Sequence, residues 1–121
     1  MIKLKALPMA IPSEIVALIE RLNQELNETE QEAIKGVNIV RQGLSFFPNN
    51  VTLTRYFAYF NNALFLVEVF RRRIQSAIAT ISPENVTDEE IQETGEDLGE
   101  ILGRVLETKI GIRGIIRIFE E

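Results

Sequence analysis

Apolar residues recur along this chain at alternating spacings of four and three, and two stretches carry that pattern without a break. The first is Leu53, Phe57, Phe60, Leu64, Val67, Arg71, Ile74, Ile78 and Ile81. The second is Ile91, Gly95, Leu98, Leu102, Val105, Lys109, Ile112, Ile116 and Phe119. Such spacing keeps one helical face turned toward a partner over many turns, as in bundles and coiled coils. One residue in each seam is basic, Arg71 in the first and Lys109 in the second.

The same periodicity predicts helices upstream. One runs from a Ser13 cap to about Leu26, with Ile15, Ile19, Leu22 and Leu26 inward. The next opens on a capping box of Thr29 and Glu32 and carries Ala33, Val37, Val40, Leu44 and Phe47 before Pro48 stops it. The join from Asn27 to Thr29 contains neither Gly nor Pro. A single helix from Ser13 to Phe47, with its seam through Thr29, Ala33, Gly36, Val40 and Gly43, is therefore the alternative. The third helix spans Val51 to Ile81, and six of the nine aromatic residues fall between Tyr56 and Phe70. A patch of Ala58, Phe65 and Val69 lies on nearly the opposite side from the main apolar arc.

A fourth helix begins with a capping box, Thr87 to Glu90, and its acidic first turn complements the helix dipole. From Ile110 to Phe119 the chain also alternates in a way that suits a strand. Ile2 and Leu4 alternate with Lys3 and Lys5, so a short ribbon between the termini competes with a continued helix, which the seam favours. The expectation is one all-α domain over residues 1–121, an antiparallel bundle of four helices, or three if the first two merge. Its last two helices form a long hairpin, with Phe57 and Phe60 near Ile112 and Ile116, and Ile78 near Gly95.

Composition narrows the chemistry. The chain has no Cys and no His, so it lacks thiolate nucleophiles, the commonest general base and the commonest transition-metal ligand. No catalytic residues, metal site or cofactor are expected. The net charge of −5 lacks the basic surplus that a nucleic-acid binder uses to release counterions, so nucleic acid is not an expected partner. The apolar run in the middle of the chain is broken by Arg55, Asn61, Asn62 and Glu68, so no transmembrane segment is expected. The N-terminus lacks a signal-peptide pattern, and a cytoplasmic protein follows as the expectation.

Three features remain as candidates. Gly95, Gly99 and Gly103 repeat every four residues and suggest close helix packing, either beneath the aromatic helix or between copies of the chain. Arg71, Arg72 and Arg73 form the one concentrated basic run; they either pair with the acidic surplus or, with Phe65 and Val69, offer a docking surface for an acidic partner. Nine of the eighteen acidic residues fall between Glu84 and Glu107, and Glu89, Glu93, Glu96 and Glu100 share one stripe. The strings Glu89-Glu90-Ile91-Gln92-Glu93 and Glu96-Asp97-Leu98-Gly99-Glu100 resemble the acidic motifs of all-α nucleotide pyrophosphohydrolases of the MazG type. Those enzymes spread the two motifs over separate helices, whereas here they adjoin on one. The leading expectation is a non-enzymatic protein-interaction or scaffold domain that self-associates. The alternative is a Mg²⁺-dependent nucleotide hydrolase using the carboxylate stripe.

Overall fold

The structure, a computed structural model, describes residues 11–121 and contains three long helices. They are α1 (Ser13–Phe46), α2 (Val51–Ile81) and α3 (Asp88–Glu120). Each packs on the other two. α1 and α3 run parallel and α2 runs antiparallel to both, so the α1–α2 turn lies at the same end as the C-terminus of α3.

Three helices, rather than the four drawn first from the sequence, result from continuity through Asn27 to Thr29. Thr29 does not cap a second helix. Its hydroxyl donates back to the Glu25 carbonyl at 2.7 Å, and the residue is buried. Back-bonding of this kind lets a threonine sit inside a helix. Burial then proceeds without a phase break through Leu22, Leu26, Thr29, Ala33, Gly36 and Val40. Ser13 is not the cap of α1 either. Pro12 holds that position with extended backbone (φ −56°, ψ 142°), and its carbonyl accepts from the N–H groups of Ile15 and Val16.

The other two helix starts follow their local chemistry. Asn50 Oδ1 accepts from the Leu53 N–H at 2.9 Å and caps α2. Thr87 and Glu90 form the reciprocal capping box of α3. α3 continues through Ile110 to Phe119, so the strand alternative for that segment is overturned. Helical geometry puts Ile112 and Ile116 in the core and Phe119 edge-on against Tyr56, with ring centroids 5.7 Å apart. A strand would have separated them. Ile2 and Leu4, the other half of the expected ribbon, lie outside the described residues.

The core divides into two apolar segments. The longer gathers Ile15, Ile19, Leu22 and Leu26 with Val67, Phe70, Ile74, Ile78 and Ile81 and with Leu98, Ile101 and Val105. The shorter gathers Ala33, Val37 and Val40 with Phe60, Ala63, Ile112 and Ile116, and Phe57 packs at its edge. Phe60 is wholly buried in it. Its ring lies so close to Gly36 that a Cβ there would sit 2.5 Å from Cε1. Thr29 and Lys109 lie between the two segments and mark the waist of the bundle.

Candidate functional site

The two basic residues that interrupt the seams both reach α1. Lys109 Nζ donates to Glu25 Oε2 at 2.8 Å and to Glu28 Oε2 at 2.9 Å. The Lys109 and Glu25 side chains are only 12% and 15% exposed, so this is a largely desolvated pair. Hydrogen bonding to Glu25 and then Glu28 raises the Lys109 pKa, against the opposing effect of burial. The same contact lowers the pKa of Glu28. Arg71 Nη1 donates to Glu30 Oε2 at 2.7 Å and to Glu68 Oε1 at 3.0 Å, while Nη2 donates to Asn27 Oδ1 at 3.0 Å. Hydrogen bonding to Glu30 is the chief cause of its raised pKa. Arg71 is thus a structural clamp holding α2 to α1 across the waist.

Helical geometry separates Arg71 from its two neighbours. Arg72 and Arg73 turn outward, are exposed, and form no ion pair among the described residues. They line one wall of a groove between α2 and α3, of about 400 Å³, with Val69, Ser76, Ala77 and Thr80. Asp97 and Ile101 supply the α3 wall. Val69, Ala77 and Ile101 make the groove floor apolar, and the arginines and Asp97 give it charges of opposite sign on opposite walls. Phe65, one turn before Val69 on the same stripe of α2, is 60% exposed.

The sequence indicated Val69, Arg72 and Arg73 but missed Ser76, Ala77, Thr80, Asp97 and Ile101. Helical spacing from Val69 to Arg73 to Ala77, and from Arg72 to Ser76 to Thr80, carried a readable signal for the α2 wall. The α3 wall depends on the register between two helices, which no local pattern specifies.

The glycine stripe does not receive the aromatic helix. A Cβ on Gly99 or Gly103 would meet nothing within 4 Å, and one on Gly95 would meet Ile15 of α1 at 3.8 Å, an ordinary contact, rather than Ile78. The stripe turns toward α1 and solvent because the seam that faces α2 and the core runs through Leu98, Ile101 and Val105. The glycines that admit aromatic side chains are Gly36, beneath Phe60, and Gly111, against the Tyr59 hydroxyl.

The carboxylate stripe is likewise dispersed. Glu100 pairs with Arg104 at 3.1 Å and Glu96 accepts from Gln92 at 3.4 Å. Among the described residues no three acidic groups converge as a metal site would require. No helix there is long and apolar enough to cross a membrane. No family model, no curated protein and no solved structure matches the chain.

Proposed function

We propose that this chain is a non-enzymatic protein-interaction module, acting in the cytoplasm, that receives an amphipathic helical segment in the groove between α2 and α3. The observation that carries the reading is the combination of an apolar floor with two exposed arginines lacking any ion-pair partner among the described residues. From Phe65 to Thr80 the α2 wall is about 22 Å long at 1.5 Å per residue, room for roughly four turns of a docked helix. Acidic side chains on that helix would meet Arg72 and Arg73, and a basic one would meet Asp97.

Self-association belongs to the same proposal. Phe65 and Ile110, 60% and 71% exposed, leave apolar surface on two outer faces of the bundle. Sedimentation of the purified chain at tens of micromolar tests this part, and a strict monomer would remove it. No observation favours the Mg²⁺-dependent hydrolase alternative, since the stripe's carboxylates point apart along an exposed face. The groove itself is tested by charge reversal at Arg72 and Arg73, which should abolish capture of the native partner.

A further inference from the structure

The bundle is electrically polarised from end to end. Residues 33–67 and 108–121, which make the half containing the α1–α2 turn, hold six Lys or Arg against two Glu. The remaining described residues hold five Arg against sixteen Asp or Glu. The turn itself carries the most exposed apolar cluster among the described residues. Phe46 is 72% exposed, Phe47 64% and Val51 63%.

This tip stands clear of the third helix. α3 reaches the level of Tyr56 through Phe119, which leaves Phe46, Phe47 and Val51 beyond it by roughly one helical turn. Two backbone hydrogen bonds close the turn, the Phe47 N–H donating to the Gly43 carbonyl and the Asn50 N–H to the Phe47 carbonyl. Exposed aromatic side chains thus project from a hydrogen-bonded turn.

Behind the tip stand cations without partners. Arg41 and Arg55 lie five and four residues from Phe46 and Val51, which sets them about 6–8 Å back along their helices. Arg117 stands on α3 one turn before its end. All three are exposed and none forms an ion pair among the described residues. We infer that the tip docks end-on to an anionic lipid bilayer, with Phe46, Phe47 and Val51 entering the acyl boundary and Arg41 and Arg55 at the lipid phosphates.

The spacing suits that occupant. Amphipathic surface elements bury their apolar face about 5–10 Å into the headgroup boundary, which matches the set-back of the arginines. An anionic bilayer offers both an apolar interior for Phe46, Phe47 and Val51 and phosphates at the depth of Arg41 and Arg55. The strongly acidic opposite end lies roughly 50 Å away, several Debye lengths at physiological salt, so its repulsion from the surface is screened. The polarity therefore orients the molecule instead of opposing its approach. This inference stands apart from the α2–α3 groove, which opens on the side of the bundle.

Co-sedimentation of the full chain with phosphatidylcholine vesicles, with and without phosphatidylserine, tests it. Binding is expected to the anionic vesicles alone and should weaken as salt is raised. R41E/R55E should lower the partition coefficient about tenfold or more, as loss and reversal of two surface cations implies. F46S/F47S should lower it to a similar degree, while I34S, which alters an exposed apolar residue away from the tip, should leave it unchanged. Melting curves of the variants establish that the fold is intact, as the exposure of these positions leads us to expect. Absence of binding to anionic vesicles would overturn the proposal, as would binding that survives F46S/F47S. Vesicle-free self-association abolished by F46S/F47S, with no lipid binding, would instead identify the tip as a contact between copies and equally overturn it.

Discussion

Lys109 and Glu25 meet at 2.8 Å across the parallel pair α1 and α3, and both side chains are almost withdrawn from water. Removing one member of such a pair strands the other in a poorly solvated site. K109A should destabilise the fold by about 3 kcal/mol, whereas the double variant K109M/E25L, which replaces the pair by apolar volume, should recover most of the loss. Urea denaturation of the two variants checks this. Equal stability of K109A and the natural chain would show that the waist is not held electrostatically.

The same contacts give the stability a defined pH dependence. Glu28 has a lowered pKa in the fold, so its contribution is present above its unfolded value near 4.3 and is lost as pH falls through the folded value. Lys109 has a raised pKa, so its contribution is complete below the unfolded value near 10.4 and is lost as pH rises through the folded value. Thermal melts should therefore show an acid limb and an alkaline limb. In K109M the alkaline limb should shrink and the acid limb should lose the part due to Glu28.

Glycine substitutions should divide by location. G36A would drive a Cβ into the Phe60 ring, so despite the better helix propensity of alanine it should cost about 2 kcal/mol. F60A removes the largest wholly buried side chain and should cost about 3–5 kcal/mol. G99A and G103A meet open space and should each stabilise the chain by roughly 0.5–1 kcal/mol. Chemical denaturation of these four variants is sufficient, and destabilisation by G99A or G103A would point to a contact between copies at that stripe.

The seams, the capping box at Thr87, and the alternative of one long first helix could all be read from the sequence, because each depends on residues within a few turns of one another. Thr29 could not be resolved that way. The same residue caps a helix when its backbone is free and back-bonds when its side chain is buried, and burial is a tertiary property. The pairing of Arg71 and Lys109 was legible only as a need. Both residues sit where a charge requires an acid, yet Glu25, Glu28 and Glu30 become their partners only when α1 is continuous and its register is set. The glycines show the limit of periodicity for contacts within the chain. Periodicity drew attention to Gly95, Gly99 and Gly103, while the close approaches fell at Gly36 and Gly111, each set by one large side chain from α2.

The functional reading is tested most directly by affinity capture from the native host with the natural chain, R72E/R73E and V69D in parallel, and with R21E as a charge reversal outside the groove. A protein held by the natural chain and by R21E should be lost from both groove variants, while all four chains melt cooperatively. Capture of that protein undiminished by R72E/R73E and V69D would contradict that reading.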